Sequence, residues 1–137
     1  MALTHVVDTS VLTRLGAAAI RAEVEPRADA GELARVGIGD LEVGFSARNS
    51  GEWDRLMEAL TVFDLVETTA DHVRRACQVQ RILAARHRRG RQIPDLLVAA
   101  AAETRGLAIL HYDAGFDRIA AVTGQRCEWV LPAGSVD

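Results

Sequence analysis

Four carboxylates stand where a chain tends to concentrate chemistry. Asp8 closes the apolar run Val6-Val7 and is followed at once by Thr9 and Ser10. A buried strand that ends this way delivers its acid to the strand's carboxyl end, and Thr9 or Ser10 caps the helix beginning there. Asp113 lies just beyond a second apolar run, after Leu110-His111-Tyr112. Asp95 follows Pro94 at a helix start, where the dipole and free N–H groups favour a carboxylate. Glu42 lies among Leu41, Val43 and Phe45 on a helix. Singly, each has an ordinary reading: a first-turn acid at 95, a turn start at 113 with Asp117 capping or paired to Arg118, a solvated helix residue at 42. As a set they are harder to set aside. Open α/β sheets bind ligands outside the carboxyl ends of their strands, and carboxylates gathered there repel unless a cation joins them. Oxygen-only ligation, without His or Cys, suits Mg2+ or Mn2+. Such ions activate water and stabilise the leaving oxygen in phosphodiester hydrolysis.

The elements that must position these acids alternate in type. Thr4–Asp8 reads as a central parallel strand, near-continuously apolar. Val11-Leu12 and Leu15 to Ile20 predict one helix or two short ones, and Pro26 a helix start or joint near Glu25. Leu33–Val36 predicts a second strand, leading through Gly37-Ile38-Gly39-Asp40 into the helix that carries Glu42. Asn49-Ser50-Gly51 breaks that helix, and Trp53, Leu56, Met57 and Leu60 space out the next. Thr61–Val66 reads as a third strand. Thr68-Thr69-Ala70-Asp71 then opens a long helix with Val73, Ala76, Cys77, Leu83 and Ala84 inward, ended by Gly90. Pro94 opens a helix through Leu96–Ala102 that Gly106 closes. Leu107–Leu110 gives a fourth strand and Trp129–Leu131 a fifth. This alternation predicts an α/β fold, a mostly parallel sheet of four to five strands covered by helices on both faces.

Composition narrows the partners. The 137 residues are expected to form a single domain spanning 1–137. No apolar stretch approaches the roughly 18 residues that cross a membrane, and Met1-Ala2-Leu3-Thr4-His5 lacks a signal peptide's basic start, so a cytoplasmic protein is expected. Cys77 and Cys127 read as reduced, inert thiols. All sixteen basic residues are Arg. Without Lys the chain has neither a Walker-type phosphate loop nor Schiff-base chemistry. Seven Arg and no acid lie between His72 and Pro94, which leaves −10 on the rest of a chain whose net charge is −3. The dense end of that stretch, with Arg86, Arg88, Arg89 and Arg91, leads directly to Asp95 and can hold a polyanion. Arg74, Arg75 and Arg81 read equally well as the solvated face of their helix. Tyr112 is open to two readings, a stacking residue beside Asp113 or a core tyrosine.

Taken in order, Val-Val-Asp8-Thr9-Ser10, Leu-Glu42-Val with Ser46-Ala47-Arg48, Ile-Pro-Asp95-Leu-Leu-Val-Ala-Ala and Leu-His-Tyr-Asp113-x-x-Phe-Asp117-x-Ile resemble the PIN-domain family. More narrowly, the chain is similar to the VapC ribonuclease toxins of bacterial toxin–antitoxin pairs, almost from end to end. The resemblance implies a three-layer α/β/α fold and a Mg2+- or Mn2+-dependent endoribonuclease. It also implies a VapB-type antitoxin, a homodimer, and a heterotetramer or larger assembly with that antitoxin. By motif, Asp8, Glu42, Asp95 and Asp113 take the family's four acidic positions and Asp117 an accessory one, with Asp8, Asp95, Asp113 and Asp117 on the metal. In the family Thr9 and Ser10 support the site by hydrogen bonding; separately, the density of the arginine segment leads us to expect Arg86, Arg88, Arg89 and Arg91 to contact RNA phosphates. Many relatives carry a second acid where this chain has Gly115, which shifts weight onto Asp117.

Competing readings are weaker on the residues. A haloacid-dehalogenase-like phosphatase also opens on a strand-end Asp but needs D-x-D and a Lys, and Asp8-Thr9-Ser10 offers neither. Gly37-x-Gly39-x-x-Glu42 echoes a dinucleotide fingerprint, yet its third position is an acid that would repel a pyrophosphate. A PIN-fold module that binds RNA or protein without turnover has Gly115 as its support.

Overall fold

Five short strands build one sheet in the order β3-β2-β1-β4-β5, every neighbouring pair parallel. They are β1 (His5–Val7), β2 (Leu33–Val36), β3 (Asp64–Val66), β4 (Ala108–His111) and β5 (Cys127–Trp129). The computed structural model describes residues 2–86 and 93–137. Among them the helices are α1 (Thr9–Leu12), α2 (Ala18–Asp29), α3 (Gly37–Phe45), α4 (Ser50–Leu60), α5 (Ala70–Ala85), α6 (Ile93–Arg105) and α7 (Gly115–Thr123).

Alternation along the strands divides the core in two. Val6, Val36 and Ile109 face α5, α6 and α7, packing with Val79, Leu83, Leu96, Phe116 and Ile119. Val7, Leu33 and Leu110 face the other way, onto Val11, Ile20, Val24, Val43 and Leu60. This is the three-layer α/β/α arrangement, and the sheet is wholly rather than mostly parallel. Its order reverses between β1 and β4, where doubly wound sheets open a crevice. Both β1 and β4 end there.

Several elements differ from their sequence signals. Pro26 is neither a helix start nor a joint but lies inside α2. Its ring is exposed, the carbonyl it leaves unbonded is on the solvent side, and Ile20 and Val24 anchor the opposite face. The third strand starts only at Asp64, because Arg35 donates from Nη1 to the carbonyls of Leu60 and Phe63 and holds the preceding residues in a turn. Helix α5 turns inward His72, Ala76, Val79 and Leu83, while Val73, Cys77 and Ala84 lie outside that face. The reason is the cap: Thr69 Oγ1 accepts the His72 N–H and His72 Nδ1 accepts the Thr69 N–H, so a polar residue begins the buried stripe. Helix α7 is an element the sequence reading left as a turn. The last strand is Cys127–Trp129 rather than Trp129–Leu131.

Both cysteines are free, and burial pushes the Cys127 thiol up to about 11. No helix among the described residues is long and apolar enough to cross a membrane.

Candidate active site

Parallel pairing of β1 with β4 places Val7 beside Leu110, and one residue further on the Asp8 N–H donates to the Leu110 carbonyl at 2.9 Å. The chain then turns into α1. Asp8 is its N-cap, with Oδ2 accepting the Ser10 N–H at 2.9 Å. The strand-end acid therefore caps the helix itself, a role the sequence had given to Thr9 or Ser10. Those two reach outward instead. Thr9 Oγ1 donates to Glu42 Oε1 at 2.9 Å, and Ser10 Oγ accepts the Tyr112 N–H at 2.9 Å.

The Thr9–Glu42 bond depends on how closely α3 approaches α1. Gly39 provides the clearance, since a Cβ there would come within 3.2 Å of Thr9 Oγ1. Of the Gly37-x-Gly39 pair only Gly39 serves this packing, since a Cβ at Gly37 would meet open space.

Burial dominates the electrostatics. Asp8 is 3% exposed, and its Oδ1 is buried with no hydrogen bond among the described residues. Desolvation raises its carboxyl above the usual range, hydrogen bonds from Ser10 and Thr9 oppose the shift, and the charge of Asp113 adds to it. Glu42, half-buried, is raised by desolvation and by Asp8 against the Thr9 hydrogen bond. Glu42 and Asp113 thus each stand within electrostatic reach of Asp8.

Asp113 is half-buried, and its Oδ1 accepts the Gly115 N–H at 2.8 Å as α7 begins. Gly115, where a second acid was looked for, thus fixes the first. Asp95 lies in the first turn of α6 and is 7% exposed. Because α6 leads through Gly106 straight into β4, its first turn stands toward the carboxyl ends of the strands. Asp117 is exposed and its Oδ1 accepts the Trp129 indole N–H at 3.3 Å. Among the described residues, no three His, Cys, Asp or Glu side chains are gathered closely enough to hold a metal ion as they stand. The orphaned Asp8 oxygen and the oxygen-only donor set nevertheless fit a hard divalent cation.

Two further neighbours of the acids are His111, which the sequence did not single out, and Tyr112. His111, fully buried, accepts the Asp113 N–H at Nδ1 over 3.2 Å and stacks near Phe116 and Trp129. Burial lowers its pKa against the charges of Asp117 and Asp113, leaving a neutral ring. Tyr112 resolves to the core reading. Its hydroxyl donates to the Val136 carbonyl and accepts the Val136 N–H, each at 2.9 Å, so the ring is not available for stacking on a base. Arg14 lies 5.0 Å from the centre of that ring and donates to the carbonyls of Ser10 and Asp137.

The arginines divide by role. Arg75 pairs with Glu103 and Arg74 with Asp71, so both belong to the helix surface. Arg86 is exposed at the C-cap of α5. Arg88, Arg89 and Arg91 lie outside the described residues.

A parallel sheet with acids at its switch point defines the class. Residues 5–122 match the PIN domain, and the chain belongs to that family. Within it the kinship is with VapC proteins. The chain is 63% identical to Ribonuclease VapC51 of Mycobacterium tuberculosis (strain ATCC 25618 / H37Rv), over 100% of both chains. It is 38% identical to Ribonuclease VapC21 of M. tuberculosis (strain CDC 1551 / Oshkosh), covering 98% of this chain and 99% of the relative. In fold it matches a chain of the DNA-bound VapBC crystal structure from Salmonella typhimurium, with TM-score 0.77 at 18% identity over 94% of this chain and 99% of that one.

Proposed function

We propose that the chain is the toxin of a VapBC-type toxin–antitoxin pair. In this reading it is a Mg2+- or Mn2+-dependent endoribonuclease that cuts tRNA, rRNA or mRNA in the cytoplasm and halts translation until its antitoxin binds. The observation that carries the reading is Asp8 Oδ1, a buried carboxylate oxygen without a hydrogen bond among the described residues, flanked by Glu42 and Asp113. Full-length identity of 63% to a protein named as a ribonuclease supports the chemistry, and likeness to VapBC complexes supports a VapB-type partner.

Asp8, Asp95 and Asp113 would hold the cation, with Asp117 accessory. When bound, it supplies Lewis acidity and a water of lowered pKa. The chain's own groups do the rest. The Ser10 amide holds Asp8 Oδ2, while Oδ1 is left without a hydrogen bond among the described residues. Thr9 holds Glu42 Oε1, leaving Oε2 to take the proton of the attacking water, and its raised carboxyl pKa suits that task. Arg86 meets the RNA backbone at the rim, and a homodimer presents two such sites. The chain works as one domain.

The test is Mg2+-dependent cleavage of structured cellular RNA, with Asp8→Ala as control. Undiminished cleavage by that variant would overturn the assignment. A PIN-fold module without turnover is the other reading, favoured by the absence of three gathered acids among the described residues. It is the outcome if neither RNA cleavage nor Mg2+ binding is measured for the wild type.

A further inference from the structure

Beside the acids, between the end of α5 and the start of α7, lies a cavity of about 340 Å3. Leu83, Arg86, Asp117, Arg118, Ala121 and Val122 line it. That volume falls at the small end of ligand sites, which span about 300 to 1,000 Å3. Leu83, Ala121 and Val122 make part of the lining apolar, and Arg86 and Arg118 bring two guanidiniums to it.

Neither guanidinium is matched by an acid, a state shared among the described residues with Arg81, Arg105 and Arg126; what sets Arg86 and Arg118 apart is that they line one cavity. Arg27, Arg35, Arg48, Arg74 and Arg75 each pair with a carboxylate, and Arg14 and Arg21 donate to backbone carbonyls. Arg86 and Arg118 do neither among the described residues. Asp117 is adjacent in sequence to Arg118 and lines the same cavity, yet its carboxylate accepts the Trp129 indole N–H at 3.3 Å instead. The cavity therefore offers two free planar donor forks alongside apolar side chains, a combination that matches a phosphate with its attached sugar and base. The lining contains no aromatic side chain, so the base is held by packing and not by stacking.

Its position ties the cavity to the acids. Asp117 and Arg118 belong to the first turn of α7, and that turn is anchored by the Gly115 N–H on Asp113 Oδ1 at 2.8 Å. The inner wall of the cavity is thus fastened to one of the acids. We propose that this cavity binds a nucleotide of the RNA strand flanking the cleaved bond, its phosphate taken by Arg86 and Arg118. The inference rests on the ribonuclease reading given above and adds to it a defined binding pocket with Arg118 as a new contact.

The probe is a fluorescein-labelled single-stranded RNA of about 16 nucleotides, the upper site size of single-strand grooves. Its binding is followed by anisotropy in EDTA over a series of KCl concentrations. Arg105→Gln serves as control, since it removes the same charge at the far end of α6, away from the acids. Arg86→Gln and Arg118→Gln are each expected to weaken binding about tenfold at low salt, the worth of a charge-assisted contact. Each should also lower the salt slope of log K by about 0.7, one phosphate of a single strand. In steady-state cleavage Arg118→Gln should raise KM with kcat within about twofold of wild type, as loss of uniform binding requires. Slopes equal to that of Arg105→Gln overturn the pocket while leaving the ribonuclease reading intact. Cleavage by Asp8→Ala at the wild-type rate is the separate result that removes the reading beneath it.

Discussion

The two sides of the acidic edge are built to different standards. On the β1 side, each of three successive residues is tied to a distant part of the chain, while the Asp8 carboxylate itself is held by the Ser10 amide of its own turn. Asp8 is tied to β4 through its amide, Thr9 to Glu42 across 33 residues, and Ser10 to Tyr112 across 102. On the β4 side, Asp113 is held by its own turn, and Asp117 is exposed with one long contact to Trp129. Long-range ties and burial make the first side rigid and dry. In such a place a carboxylate is costly when charged and responds strongly to a cation. The second side, wetter and locally held, suits adjustment as substrate arrives. One edge therefore carries a rigidly held acid and an adaptable one.

The largest expected difference follows from this contrast. Asp8→Asn keeps the helix cap but removes the charge, and cleavage should fall by at least about a thousandfold. Asp117→Asn should cost about tenfold or less, as an outer group does. Comparable losses in a single-turnover assay would break the comparison.

A smaller effect appears in stability. Asp8 and Glu42 have folded pKa values raised above 3.8 and 4.5, so the native state keeps protons that the unfolded chain releases. Their contribution is therefore most favourable below the unfolded values and declines as pH rises through the window up to the folded ones. In EDTA, thermal melts of wild type and Asp8→Asn should diverge over that window. The variant should end about 1 kcal/mol more stable at neutral pH, as relief of a functional strain allows. Added Mg2+ should raise the wild-type Tm and leave the variant unchanged.

The smallest effect sharpens where the rigid side ends. Tyr112→Phe removes both hydrogen bonds to Val136 but keeps the ring under Arg14. About 1 kcal/mol of stability should be lost by urea melting. Cleavage should fall several-fold if Ser10 is steadied through Tyr112, and unchanged cleavage would end the rigid side at Ser10.

The same contrast explains what the sequence made legible. Strand β2 and helix α6 announce themselves through continuous apolar runs with Gly or Pro at their ends, and Asp8, Asp95 and Asp113 follow because each stands where such a run starts or stops. The reading failed where a polar residue does an apolar residue's work. His72 is buried because it closes its own cap, and that rotates α5 away from the face its aliphatic residues indicated. Helix α7 starts at a glycine and owes its first turn to Asp113, a side chain assigned to chemistry, so it looked like a loop. Tyr112 is set by contacts with residue 136, a separation no local pattern encodes. Gly39 was visible, but only the packing of α3 on α1 reveals what its missing Cβ permits.

Whether the acids at the switch point hold a divalent cation is tested most directly by calorimetric titration of the protein with Mn2+. The wild type is expected to bind at up to millimolar concentration, and Asp8→Asn to show no binding heat. Equal affinity in the wild type and Asp8→Asn would contradict the account.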